Sequence, residues 1–236
     1  MRGELTELIF SRKAVVFDCD GTLVIQAIDY QSARMAVINV LRRYGVLGEL
    51  LNPNDSILTM LRRSVDYLSA RGMRVDQMVS EVDRVVESFE LEAASKTTPI
   101  PGALELLAFL RRRGFKLGLF TLNKRSAMML VAKRFSLDQF MDAMVSRDDV
   151  LAPKPDPRHL EDVFSRLSVE ASEAVVVGDH PVDVHCAVRA GAAAIGVLSS
   201  GRRKGELEEA GARMVVESVA TILEALEEAA SGSSRA

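Results

Sequence analysis

Ala14-Val15-Val16-Phe17-Asp18-Cys19-Asp20-Gly21-Thr22-Leu23 runs four apolar residues straight into two carboxylates and an Asp-Gly turn signal. A short run that is apolar on both faces reads as a strand of a parallel sheet covered on both sides. The pattern recurs downstream. Phe115–Phe120 ends at Thr121, and Ala174–Val177 ends at Gly178-Asp179. Ala143–Ser146, Ala193–Leu198 and Arg213–Val216 are further candidates. Helical patterns lie between them: Ala103–Arg113, stopped by Gly114; Lys124–Phe135; Arg158–Leu167; Pro181–Ala190, followed by Gly191; and Val219–Ala229. Proline at a helix start and glycine just past its end follow the usual punctuation. Alternating strand and helix predicts an α/β fold, a doubly wound (Rossmannoid) parallel sheet.

One stretch breaks the alternation. From Gln26 to Ser95 no strand pattern appears, and three helical segments fit instead, roughly 28–44, 54–70 and 75–94. Asn52-Pro53-Asn54-Asp55 and Arg71-Gly72 punctuate them. The expected organisation is an α/β core domain at 1–25 and 96–230, a small all-α cap domain at 26–95 inserted after the first strand, and a disordered tail at 231–236. An insert directly after a catalytic strand end is placed to act as a lid.

Composition limits the function classes. The 236 residues are 48% hydrophobic, enough for a full core plus a small second domain. A net charge of −3 provides no general basic footprint, so no nucleic-acid partner is expected. Two cysteines, Cys19 and Cys186, do not make a disulfide framework and suit a reducing compartment. No apolar run is long enough to span a bilayer, and the start Met1-Arg2-Gly3-Glu4 lacks the apolar stretch of a signal peptide. The expectation is a cytoplasmic protein, monomer or homodimer, with no membrane partner.

Ligands of an open parallel sheet bind outside the carboxyl ends of its strands, where Asp18, Thr121 and Asp179 fall. Asp18 and Asp20 share a side if extended geometry continues, and two carboxylates so close need a cation or a shared proton. They read either as turn formers or as a nucleophile with a general acid/base two residues on. Asp179 and Asp183 read either as a turn and a charge in a helix's first turn, or as ligands of a hard divalent cation such as Mg²⁺. His180 and His185 read as loop and helix-surface residues, and no soft His/Cys set for zinc appears. Thr121 offers a hydroxyl to a phosphoryl oxygen or caps a helix. The amides after it, at Leu122 and Asn123, form an anion site. Lys154, in Ala152-Pro153-Lys154-Pro155-Asp156-Pro157, is either a solvated lysine in a rigid turn or a fixed point charge. Met128, Met129, Met141 and Met144 read as core filling.

In combination these residues resemble the haloacid dehalogenase superfamily, specifically its phosphoglycolate-phosphatase-like hydrolases with a helical cap. Phe17 to Leu23 looks like the family's first motif, Thr121 its second, Lys154 its third, and Gly178-Asp179 through Asp183 its fourth. The resemblance implies that Asp18 attacks phosphorus and that Asp20 first protonates the leaving oxygen, then deprotonates water. It implies Mg²⁺ held by Asp18, the main-chain carbonyl of Asp20, and Asp179, supported by Asp183. Thr121, Leu122, Asn123 and Lys154 are implied to bind the transferring phosphoryl group. The acid at Asp20 favours phosphate chemistry over dehalogenation, and the absence of lysine from 26–95 counts against a Schiff-base phosphonate mechanism.

The expected function is a Mg²⁺-dependent phosphatase acting on a small phosphorylated metabolite through an aspartyl-phosphate. A phosphomutase would use the same aspartates. A non-catalytic interaction protein on this fold is the reading from another class. Arg34, Arg62, Arg63 and Asn123 are candidate substrate selectors, or solvated residues.

Overall fold

The computed structural model describes residues 2–25, 28–198 and 203–233, and the chain divides into two compact units, 1–26 with 97–236, and 27–96. The larger unit holds six parallel strands: β1 (Ala14–Phe17), β2 (Lys116–Phe120), β3 (Ala143–Val145), β4 (Ala174–Gly178), β5 (Ala193–Val197) and β6 (Met214–Val216). Their order across the sheet is β3-β2-β1-β4-β5-β6. β1 is central, with Ala14 in register with Lys116 on one side and Ala174 on the other. Every residue of β1 and β4 is buried, which is why both read as uninterrupted apolar runs.

Helices layer the sheet. Helices α7 (Arg158–Leu167) and α8 (Pro181–Ala190) bury Leu160, Val163, Phe164 and Val184 against Val16, Phe120 and Val176. Helix α5 (Ala103–Arg112) packs on β2 and on α10 (Val219–Ser233), which also receives α1 (Arg2–Phe10). Burying apolar side chains of this size contributes roughly 1.5–3 kcal/mol each relative to exposure. Helix α6 (Arg125–Arg134) follows β2, and the short α9 (Lys204–Glu209) precedes β6.

The smaller unit is all helical: α2 (Tyr30–Arg43), α3 (Ile57–Ser69) and α4 (Asp76–Lys96). Asp29 caps α2 by accepting from Ser32 N, and Ser56 caps α3 by accepting from Thr59 N. Val37, Ile38, Leu41, Met60, Leu68 and Met78 form its core.

Several expectations are corrected. Ser231–Ser233, read as part of a disordered tail, continue α10, with Ser231 Oγ donating to Glu227 O. Residues 234–236 lie outside the described residues, as do Gln26 and Ala27. Helices α1 and α9 have no counterpart in the sequence reading. The helical unit ends at Lys96, so the lysine-free stretch 26–95 is not all of it, and Lys96 is ion-paired with Glu92 on its own helix. Of the four methionines read as core, Met128 is buried and Met129, Met141 and Met144 are half-buried.

Candidate active site

Three neighbouring strands deliver the site. Asp18 follows β1, and its backbone N–H donates to Val177 O on β4, which extends the ladder by one bond. Thr121 follows β2, with its N–H donating to Val145 O at 3.0 Å. Asp179 follows β4, and Asp183 lies in the first turn of α8. Carboxylate oxygens of Asp18, Asp179 and Asp183 lie within 4.8 Å of one another, and all three residues are buried.

Lys154 enters this cluster. Its Nζ donates to Asp18 Oδ1 at 2.5 Å and to Asp183 Oδ1 at 2.7 Å, and sits 3.7 Å from the centroid of the Phe120 ring. The residue is only 5% exposed, which removes the solvated-lysine reading. Burial opposes its charge, but Asp18 and Asp183 outweigh that and raise its pKa, so the ammonium persists. Burial likewise pushes the Asp18 carboxyl well up. Lys154 opposes that shift, while the charges of Asp183 and Asp179 add to it. Three buried carboxylates facing one ammonium leave an excess of negative charge, and all the donors are hard oxygens. That is the environment a divalent cation such as Mg²⁺ fits, and one in which zinc's softer ligands are missing.

Asp20 is placed differently. Its carboxylate is not part of the acidic cluster; Oδ2 accepts from Asn123 Nδ2 at 2.5 Å. The separation arises in the turn after β1, where Cys19 O accepts from Leu23 N and Val24 N, and Gly21 N donates to Val24 O. Gly21 has φ +85°, and a Cβ there would lie 2.4 Å from Asp179 Oδ2. Gly21→Ala therefore carries both backbone strain and a clash with a cluster carboxylate. It is expected to cost about 1–3 kcal/mol of stability and most of the activity, read by denaturant unfolding and initial rates. An alanine variant matching wild type in both would show that this turn relaxes freely.

Thr121 is not the cap of α6. Its Oγ1 accepts from Asn123 N at 3.1 Å, and the N-cap position of α6 falls three residues later at Lys124, which makes no side-chain cap bond. Leu122 presents an exposed side chain, and its carbonyl accepts from Arg147 Nη1 at 2.6 Å. His180 caps α8, its Nδ1 accepting from Val182 N, and its own N–H donates to Asp183 Oδ2 at 3.1 Å. The cap thereby orients a carboxylate of the cluster. In the helical unit, Arg63 is paired with Asp55, Arg34 lies 5.9 Å over the Tyr30 ring, and Arg62 is exposed.

His159 is the residue that sequence reasoning missed. It is fully buried, its Nδ1 meets Lys154 N at 3.2 Å, and its Nε2 meets Val145 O at 3.3 Å. Burial, aided by the Lys154 charge, lowers its pKa from 6.5 to about 4. In that interval the unfolded chain takes up a proton that the native state refuses. The stability is therefore complete above about pH 6.5 and is lost as pH falls toward 4, by about 3 kcal/mol at most. The raised Asp18 pKa acts in the opposite direction on acidification. The test is accordingly a difference: urea unfolding against pH is expected to be steeper for wild type than for His159→Asn. Parallel curves would contradict a neutral buried imidazole.

Residues 15–197 match the model of the haloacid dehalogenase-like hydrolase family. The chain is 28% identical over 211 residues, 86% of each chain, to a phosphoglycolate phosphatase of Caulobacter vibrioides. It is 32% identical over 184 residues to a plasmid-borne phosphoglycolate phosphatase of Cupriavidus necator, covering 75% of this chain and 77% of that one. A solved hydrolase from Pseudomonas syringae superposes with a TM-score of 0.70 at 27% identity, over 92% of this chain and 99% of the other. With a family match across most of the chain, and the matched segment spanning every strand that carries an acidic or hydroxyl site residue, the chain belongs to the haloacid dehalogenase-like hydrolases.

Proposed function

We propose that the protein is a Mg²⁺-dependent phosphatase that hydrolyses a small phosphomonoester, a phosphoglycolate-like acid or a sugar phosphate. The observation carrying this reading is the buried Lys154 ammonium, which bridges Asp18 and Asp183 beside Asp179 while Asp20 is held apart by Asn123. The two aspartates of the first motif thus have different environments, which suits different roles.

Asp18 is the nucleophile. An Asp18 carboxylate oxygen forms a bond to phosphorus as the ester P–O bond breaks, and protonated Asp20 gives its proton to the departing oxygen. Asp20, now a carboxylate, removes a proton from water. The water oxygen attacks phosphorus, the aspartyl P–O bond breaks, and inorganic phosphate leaves with Asp18 regenerated. Asn123, donating to Asp20, fixes the direction of that carboxyl. Thr121 Oγ1, the amide at Leu122, and Lys154 hold the phosphoryl oxygens, while the Asn123 amide, expected to join them, is given to Thr121 Oγ1. Asp18, Asp179 and Asp183, with the main-chain carbonyl of Asp20, are the residues to hold Mg²⁺. When bound, that ion supplies positive charge against the charge developing on the transferring group. The rest is positioning and preorganised electrostatics.

The test is release of inorganic phosphate from a panel of phosphomonoesters, with magnesium and after chelation. Release is expected only with the ion. Net sugar-phosphate isomerisation without phosphate release would make the protein a mutase. Equal release in the presence of chelator would remove the cation from the reading. No helix among the described residues is long and apolar enough to cross a membrane.

A further inference from the structure

We propose that His159 is a positioning residue for Lys154, its Nδ1 fixing the Lys154 backbone amide so that the ammonium reaches Asp18 and Asp183. The proposal rests on the reading of Lys154 as a phosphoryl-binding group, and it adds a residue that the four motifs do not contain.

The hydrogen bonds define the imidazole. Lys154 N–H can only donate, so Nδ1 must be the unprotonated acceptor. Val145 O can only accept, so Nε2 must carry the proton. One neutral tautomer satisfies both, and burial at 0% exposure keeps water from substituting for either partner. Val145 O also accepts from Thr121 N. The imidazole therefore ties the loop presenting Lys154 to the carbonyl that anchors the strand end presenting Thr121. A third contact supports the ammonium itself. The His159 ring meets Phe120 edge-on at 5.5 Å between centroids, and the Phe120 ring lies 3.7 Å from Lys154 Nζ. His159 thus touches both the backbone of Lys154 and the aromatic ring beside its charge.

Among the described residues, the loop's other ties to α8 fall on Pro155 and Asp156 and not on the Lys154 backbone amide. Cys186 Sγ donates to Asp156 O, and Arg189 Nη1 donates to Pro155 O at 3.3 Å. These hold residues 155 and 156 to α8 and leave the Lys154 amide to His159. Histidine differs here from a filler of equal size because it is acceptor and donor at once on opposite edges of one rigid ring.

The experiment compares wild type, His159→Asn and His159→Leu as full chains. Asn retains an acceptor where Nδ1 lies, and Leu retains only bulk. Measured are urea unfolding, calorimetric affinity for inorganic phosphate with magnesium, kcat and KM, and imidazole ¹⁵N shifts. For folded His159→Leu, phosphate affinity is expected to fall about 10-fold and kcat/KM about 100-fold, the scale of a small misplacement of a catalytic group. His159→Asn is expected to stay within about 5-fold of wild type. Equal losses in both variants, tracking stability alone, would overturn the proposal, as would wild-type phosphate affinity in a folded Leu variant. Should His159→Leu fail to fold, the wild-type ¹⁵N spectrum decides. A proton on Nδ1 overturns the proposal, and a proton on Nε2 with Nδ1 accepting upholds it. A wild-type chain that binds phosphate but hydrolyses no ester would sink the phosphatase reading alone, leaving the binding difference between the variants to judge His159. A wild-type chain that binds no phosphate with magnesium overturns the positioning role.

Discussion

Asp18→Asn is expected to lower phosphate release by about 10⁴-fold or more, while the protein stays folded and, without magnesium, becomes no less resistant to urea. In the proposed mechanism an amide cannot form the aspartyl ester, so the first step has no nucleophile. Stability moves the other way because of charge. Three buried carboxylates share one ammonium, and burial already raises the Asp18 pKa. A neutral Asn removes one of the repelling charges and keeps an oxygen to accept from Lys154 Nζ. Steady-state rates and metal-free unfolding curves check both halves. Undiminished hydrolysis would remove Asp18 as nucleophile. A large loss of metal-free stability would mean that the Asp18–Lys154 attraction exceeds the repulsion within the cluster.

Lys154→Met makes the complementary change and is expected to be the most destabilising single substitution in the site. It leaves the cluster with no cation, and stranding buried charges in this way costs about 3–5 kcal/mol. Methionine fills similar space against Phe120, so the loss is electrostatic and not a cavity. Magnesium is therefore expected to recover part of the lost stability, and to raise the midpoint of this variant more than that of wild type. Hydrolysis is expected to fall at least as far as in a phosphoryl-clamp deletion, about 100-fold to 1000-fold. Unfolding with and without magnesium tests the first point, and a magnesium effect no larger than in wild type would contradict it.

Much of the core sheet is legible in the sequence because its strands are buried on both faces. Ala14–Phe17 and Ala174–Val177 have no polar residue to blur their limits, and both occur as strands with those residues. Helix α1 escaped because its nine residues alternate polar and apolar positions without a strong helical stripe in the sequence, although Leu5, Leu8 and Ile9 are the residues it buries. Helix α9 is too short, at six residues, for a periodic signal. At the site, residue types and strand ends could be read, but pairings could not. Nothing in Pro153-Lys154-Pro155 says which carboxylate the ammonium meets, and nothing in Asp18-Cys19-Asp20 says that the second carboxylate turns away to Asn123. His159 was hidden for the same reason. A lone histidine early in a helix is ordinary until Val145 O and Lys154 N are seen on its two edges. The single clue was its place five residues beyond Lys154, on the buried face with Leu160, Val163 and Phe164.

The central position of β1 also governs when the protein becomes an enzyme during its own synthesis. Residues 27–96 are contiguous and own their core, so they can fold as soon as they are made. β1 is made earlier but has to wait. Its partner β2 begins at Lys116 and its other partner β4 begins at Ala174. Such distant parallel pairings form late, since loop closure precedes any reward. Asp179 and Asp183 are made last, after the Lys154 whose ammonium pairs with Asp183. A nascent chain therefore never presents the acidic cluster without the Lys154 ammonium, and on the proposed mechanism a chain truncated before β4 is expected to release no phosphate.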